Sequence, residues 1–397
     1  LMRYIREMEG SADVPAKDAA KIKTNGSLPG LASFLFESEH NHVLINNGLV
    51  AQEEAIGLSS IPDNQIIQNR HFSYPVMFDK GNGKIEGLTI LLHGLNEKTW
   101  NKYWSWGKYL LEKTGQPVLF FPLSFHMDRA PIEWSDRHKM AALIGHRKKN
   151  ENNSSISFAN LAISERLENV PERFVLSGYQ SIMDLVKLVK QIRQGKHPMF
   201  SLDLDINFFG YSIGAFVSQV MAIADPEGLF SSSKFFLFCG GSVFSEIMGT
   251  SKYIIDGAAF RKLNEFYSNE GLMNASHLDS FHEVLDSEPV GKAFRAMLYP
   301  GQLEEFRLKK FKEMNSRLKV VGLLKDKVFS SNTIVSSIAG RDNYSENIEV
   351  LDYHYRYTHE NPFPTPLMNS NKEARDCFHH VFNSAVNHYQ KKEIFAR

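Results

Sequence analysis

Gly210-Tyr211-Ser212-Ile213-Gly214 places a serine midway between two glycines, where an apolar, strand-forming run, Asp205 to Phe209, gives way to a second apolar run. Ala215, Phe216, Val220, Met221 and Ile223 give that second run the character of a buried helix, and Asp225-Pro226 stops it. A serine hydroxyl becomes a nucleophile only when a base takes its proton, and a tight strand-to-helix corner holds such a hydroxyl out beyond the sheet. The glycines relieve the crowding at that corner. Three fixed positions make a short motif, and Ile206 to Ala224 carries no charged residue, so a membrane span is the plainer rival. Two glycines, a serine and a strand-like first third argue for the corner, and its surroundings decide what it does.

The elements that would position Ser212 follow in chain order. His71 to Phe78 reads as a strand with a hairpin-like turn at Lys80-Gly81-Asn82-Gly83, and Gly87 to Leu92 as a short buried strand ending in His93-Gly94-Leu95-Asn96. A helix follows, with Trp100, Tyr103, Trp104, Gly107, Leu110 and Leu111 on one face and Gly115 as its C-cap. Pro117 to Pro122 is another buried strand. Leu123 to about Ser177 is too long for a simple connection, and Ile182, Leu185, Val186, Val189 and Ile192 then form an amphipathic helix capped by Ser181, with Asp184 three residues on. Beyond Ser212, Lys234 to Cys239 is a strand, residues 243–316 are helical, and Leu318 to Leu324 and Asn347 to Tyr353 return to the sheet. Ser370 and Glu373 make a capping box for a last helix that buries Ala374, Cys377, Phe378, Val381, Phe382, Ala385 and Tyr389.

Strands alternating with helices imply a mostly parallel sheet, whose chemistry sits beyond the carboxyl ends of the strands. Four features fall at such ends: His93-Gly94-Leu95, Ser212, Asp326 and the loop from His354 to His359. Serine acyl transfer needs a nucleophile, a base, an acid that orients the base, and N–H donors for an oxyanion. Each role has an occupant here, with Asp342 and Asp352 as alternatives to Asp326, and His354 as the alternative to His359. In this order the features resemble the α/β-hydrolase superfamily over about residues 71–395, nearest to its uncharacterised bacterial members. The resemblance implies an α/β-hydrolase fold, a mostly parallel central sheet flanked by helices with a helical cap insertion. It implies Ser212 as nucleophile, Asp326 as acid, His359 as base, and the N–H groups of Ile213 and Leu95 as oxyanion hole. The chain is then divided into an N-terminal extension, 1–70, packed on the core; a hydrolase core, 71–242 and 317–397, with the insertion 123–177; and a helical cap, 243–316. His93 reads as a shaper of the oxyanion turn, and Trp100 and Trp104 as core residues by their spacing, with Trp106 bordering the pocket as the rival for that cluster.

The expected activity is that of a serine hydrolase cleaving an ester, thioester or amide through an acyl-enzyme, carboxylesterase-like, with a small-molecule substrate and neither metal nor organic cofactor. The reading from another class is a catalytically silent binding or regulatory protein on the same scaffold. Lys+Arg and Asp+Glu both number 45 in the 397 residues, so net charge gives no reason to expect nucleic acid as a partner. Two cysteines, Cys239 and Cys377, make no disulfide framework, and no apolar signal-peptide core appears at the start, so a cytoplasmic location without a transmembrane segment is the default, although the native N-terminus could be missing. The pair His40 and His42 lacks partners for a metal and reads as surface loop. Arg129, just past the Pro117 to Pro122 strand, could hold a carboxylate or phosphate on the substrate through paired hydrogen bonds. Against that, Asp128, Glu133 and Asp136 stand close enough in sequence to neutralise Arg129 and Arg137 in a structural ion-pair cluster.

Overall fold

A computed structural model of the chain describes residues 29–44, 62–81, 85–151, 153–274, 279–340 and 345–391. The turns at Asn25-Gly26 and Asn47-Gly48, the residues Asn82 and Gly83, and Asp342 lie outside the described residues. Eight strands form one sheet: β1 (Gly30–Glu37), β2 (His71–Phe78), β3 (Gly87–Leu92), β4 (Val118–Phe121), β5 (Asp205–Tyr211), β6 (Phe235–Phe238), β7 (Leu318–Leu323) and β8 (Ile348–Leu351). Their spatial order is β1-β2-β4-β3-β5-β6-β7-β8. The first two pairings, β1 with β2 and β2 with β4, are antiparallel, and every pairing from β4 to β8 is parallel. This is the α/β-hydrolase fold.

The inner strands are apolar throughout because both faces of the sheet are covered, and alternate residues serve different cores. Leu88, Ile90, Leu92, Phe208, Phe235, Leu237 and Val320 join one cluster, together with residues of the helices Arg173–Arg193, Ile213–Ala224 and Val290–Leu298. Leu91, Phe209, Phe236, Phe238, Val321 and Leu323 join the other, packed on the helices Asn101–Thr114 and Lys372–Gln390. Phe209 of β5 and Phe382 lie ring on ring across that second face, 5.3 Å apart and 5° from parallel. The sheet is thereby fixed between two helical layers, and the carboxyl ends of β3, β5, β6, β7 and β8 open together at one edge of the core.

Several boundaries differ from the sequence reading. Gly30–Glu37 is the first strand of the sheet, paired along its length with β2, whereas the sequence placed it in an extension. No hairpin joins β2 to β3, because β2 lies between β1 and β4. The helix expected from Ser181 begins eight residues earlier, spanning Arg173–Arg193 in 21 residues; Ser181 is an interior position whose hydroxyl donates to Ser177 O at 2.8 Å. The last helix is capped by Asn371, whose side chain accepts from Ala374 N, and Ser370 closes a short preceding helix, Thr365–Ser370. Residues 123–177 hold the helices Arg137–Glu151 and Leu161–Asn169, and residues 243–316 hold five helices between β6 and β7 among the described residues. The uncharged run Ile206 to Ala224 is divided between β5 and a helix, and no helix among the described residues is long and apolar enough to cross a membrane.

Burial also makes the fold acid-sensitive. The rings of His126, His197 and His388 are each held down to about 4, chiefly because burial penalises the imidazolium. Unfolded histidine titrates near 6.5, so between about pH 6.5 and 4 the unfolded chain binds more protons than the folded one. Stability is therefore full above about 6.5 and is lost as pH falls toward 4, by several kcal/mol in order of magnitude over the three. The melting temperature is expected to drop steadily between pH 7 and 4.5, and a flat or rising Tm over that range would contradict this account.

Candidate active site

Ser212 stands between β5 and the helix Ile213–Ala224 at φ 56°, ψ −117°, a backbone conformation that a residue with a Cβ adopts only under constraint. The constraint comes from its glycines. A Cβ on Gly214 would come within 2.4 Å of Leu92 O, and one on Gly210 within 2.7 Å of both the Ala215 Cα and the Gly214 carbonyl oxygen. Gly214 N also donates to His93 O at 3.0 Å, so the helix start is pressed against the loop leaving β3. That contact brings the peptide groups after His93 beside the peptide groups after Ser212.

Three side chains meet at the corner. His359 Nε2 lies 2.8 Å from Ser212 Oγ, and His359 Nδ1 lies 2.8 Å from Asp326 Oδ2. A carboxylate only accepts, so Nδ1 carries the proton and the Nε2 lone pair faces the serine hydroxyl. Asp326 follows β7 directly; its other oxygen accepts from Val328 N at 2.8 Å and Phe329 N at 3.2 Å, which fixes the carboxylate plane. The imidazole is held from both faces, by Tyr211 at 5.6 Å and Phe329 at 5.4 Å. Tyr211 also donates its hydroxyl to His359 O. All three groups are nearly enclosed, with Ser212 6% exposed.

The alternatives separate from this arrangement. His354 is exposed, and its backbone N donates to Glu373 Oε1 at the far end of the loop; Asp352 pairs with Lys325 at 2.7 Å on the surface. The expected oxyanion donors, the N–H groups of Leu95 and Ile213, have no acceptor among the described residues. His93 is a support: Leu123 N donates to its Nε2 at 3.0 Å and its Nδ1–H donates to Gly94 O at 2.8 Å, while burial, with His126 beside it, holds its pKa well below the ordinary value. Trp100, Trp104 and Trp106 pack into the core around Phe120 and Tyr211.

The Arg129 reading is overturned. Its guanidinium is fully buried and donates to Asn69 Oδ1 at 3.1 Å, Asn69 O at 3.0 Å, Pro122 O at 3.1 Å and Asp184 Oδ2 at 2.8 Å, with Phe72 under its plane at 4.0 Å. It ties the insertion to the sheet, and its carboxylate partner is Asp184, far along the chain from the acids nearby in sequence. Arg129→Ala is expected to leave Asp184 buried and uncompensated, lowering unfolding free energy by about 3–5 kcal/mol. Denaturant melts measure that loss, and an unchanged melt would refute the structural role.

A second polar group is hidden in the sequence because its centre, Tyr103, sits on a helix face that reads as core. Gly94 N donates to the buried Tyr103 hydroxyl at 2.9 Å, and that hydroxyl donates to Glu97 Oε1 at 3.1 Å. Lys102 Nζ pairs with Glu97, donates to Glu360 O at 3.0 Å, and sits 4.5 Å over the Tyr211 ring. One amine thus touches the loop after β3, the His359 loop and the residue before Ser212. Burial first, and Glu97 second, push the Tyr103 phenol well up, so it remains a donor. Only its position directly after the His-Gly loop could have hinted at this role.

Among the described residues, Cys239, Asp326 and His359 are the one group with metal-ligand proximity, their donor atoms lying within 4.8 Å of one another. Burial, then the Asp326 carboxylate, push the Cys239 thiol well above its ordinary range. Within this group the His359 ring is engaged on both nitrogens, by Asp326 and by Ser212. The geometry sets a serine hydroxyl against an imidazole that is itself bonded to a carboxylate, with the Leu95 and Ile213 N–H groups without an acceptor among the described residues.

Comparison with solved structures finds similarity to a cold-adapted esterase from an Arctic intertidal metagenomic library, at 10% identity over 94% of this chain and 98% of that one, TM-score 0.40. Similarity also extends to a thermostable esterase from Pseudomonas putida, 7% identical over 93% and 86% of the two chains, TM-score 0.44, and to the Pyrococcus horikoshii acylaminoacyl peptidase, 11% identical over 94% of this chain and 43% of that one, TM-score 0.44. No curated protein matches the chain. A model described as a family of unknown function (DUF6051) matches residues 21–390, which take in the whole sheet and the Ser212, Asp326 and His359 positions, and the chain belongs to that family.

Proposed function

We propose that this hydrolase-fold protein is a serine hydrolase of the α/β-hydrolase superfamily, esterase-like, that cleaves a small ester, thioester or amide through an acyl-enzyme. The observation that carries the reading is the unbroken relay from Asp326 through His359 to Ser212, two contacts of 2.8 Å ending on a serine in a strained corner. Ser212 Oγ attacks the acyl carbonyl as His359 Nε2 takes its proton, and Asp326 stabilises the imidazolium. The carbonyl oxygen, now charged, accepts from the N–H groups of Ile213 and Leu95. His359 returns the proton to the leaving group, and water then repeats the sequence on the acyl-serine. The helices of residues 243–316 act as a cap over this site.

One observation favours the silent-scaffold reading: Ser212 is only 6% exposed, so a ligand must pass between tightly packed loops to reach it. A fluorophosphonate probe separates the two. Labelling of the native chain at Ser212, with turnover of a p-nitrophenyl ester, is the expected result. A native, folded chain that neither labels nor turns over such esters would be a binding protein on a hydrolase scaffold.

A further inference from the structure

We infer that the acyl part of the substrate is short and apolar, because the small cavity beside Leu95 and Ile213 is walled by buried apolar side chains, among them Phe294 from the helical insertion. The inference rests on the serine-hydrolase reading above and names its substrate class. A narrow cavity of about 40 Å³ is lined by both Leu95 and Ile213, the residues whose N–H groups face the carbonyl oxygen in that reading. An acyl chain leaves the carbonyl carbon alongside its oxygen, so the cavity lined by both residues is assigned to the chain. Since one water needs roughly 10–15 Å³ by the same measure, the space fits about three waters, or an acyl group of about two to four carbons.

The walls set both the chemistry and the length. Ile163, Phe174, Phe216 and Phe294 line the cavity and are themselves buried. Two arginines also line it, Arg166 and Arg173, but both are turned to one buried carboxylate: Arg166 meets Asp63 at 2.5 and 2.9 Å, and Arg173 meets it at 2.7 Å. Both guanidiniums are engaged by Asp63, which leaves the aliphatic and aromatic side chains as the surface for an acyl chain. A second cavity of about 340 Å³ adjoins it and shares Phe125, His126 and Ile163.

Within the lining, Phe294 stands against Gly178. A Cβ at Gly178 would come within 2.9 Å of Phe294 Cζ, so the ring already fills the space up to the backbone of the helix Arg173–Arg193. Shortening residue 294 therefore deepens the cavity, and adding a methyl at 178 pushes the ring toward it.

The experiment compares p-nitrophenyl acetate, butyrate and octanoate on the full chain and on Phe294→Leu, Phe294→Ala and Gly178→Ala, with fluorophosphonate labelling of each as the measure of an intact site. The native chain should favour acetate and butyrate over octanoate by about tenfold or more in kcat/KM. Phe294→Leu should raise the octanoate-to-acetate ratio about tenfold with labelling retained; Phe294→Ala, if it folds, should raise it further. Gly178→Ala should lower butyrate relative to acetate. Labelling with a flat chain-length profile, or a ratio unmoved by Phe294→Leu, overturns the acyl-site assignment and leaves the hydrolase reading standing. A native chain that neither labels nor hydrolyses any ester overturns the hydrolase reading, and the acyl site with it.

Discussion

Ser212→Ala is expected to abolish fluorophosphonate labelling and to lower ester turnover by roughly 10⁴- to 10⁶-fold, because it removes the hydroxyl that His359 Nε2 meets. Its effect on stability should be small and can be separated into parts. Removing the hydroxyl forfeits one buried hydrogen bond, worth about 1 kcal/mol. Alanine keeps a Cβ at φ 56°, so the backbone strain of the corner remains. Glycine would release it, and since a residue held in such a conformation stores on the order of 1–3 kcal/mol, Ser212→Gly should melt at or above the temperature of Ser212→Ala while being equally inactive. Thermal melts of the two variants beside labelling gels make the test. Retained labelling in Ser212→Ala would remove the proposed nucleophile, and a glycine variant melting well below the alanine one would remove the strain argument.

That strain explains why this corner was the part of the fold most legible in the sequence. Gly210 and Gly214 cannot carry a Cβ where they stand, and their spacing around Ser212 follows from those contacts. The apolar runs of β3, β4, β5 and β6 were equally readable, since strands covered on both faces need no polar alternation. Asp326 stands out because it comes three residues after the apolar β7, whereas His359 lies eight residues beyond the end of β8, in the loop before the last helices. Which histidine turns inward could not be read, as it depends on Tyr211 and Phe329 closing on one ring.

What the sequence concealed was polar and buried. Arg173, Gln180, Ser181 and Asp184 are all buried in the helix Arg173–Arg193. They interrupt the 3.6-residue apolar pattern, so the helix start was placed eight residues late at a serine that looked like a cap. For Arg129 the sequence offers only the nearby acids Asp128, Glu133 and Asp136 as partners, because the actual one, Asp184, lies 55 positions away, across a fold that had to exist first. β1 was hidden for a different reason. As an edge strand it buries few of its side chains, leaving Leu31 and Leu35 exposed, and without a strong pattern it merges into the segment before it.

Asp326→Asn should be nearly as damaging as loss of the serine, by roughly 10⁴-fold in kcat, and the reason can be traced atom by atom. Val328 N and Phe329 N both donate to Oδ1, so an asparagine at 326 keeps its carbonyl oxygen there. Its amide nitrogen then takes the Oδ2 position, 2.8 Å from His359 Nδ1. An amide nitrogen only donates, so Nδ1 must become the acceptor and the ring proton moves to Nε2. The nitrogen facing Ser212 then carries a hydrogen and can no longer take the serine's proton. KM should change little, since no substrate contact is lost, and the melt should shift only modestly because the side-chain shape is kept. His359→Ala should fall to the same floor, whereas His354→Ala, on the exposed side of the loop, should stay within about threefold of the native rate. An Asp326→Asn variant within tenfold of the native kcat, or an inactive His354→Ala beside an active His359→Ala, would show that the relay is not the one that activates Ser212.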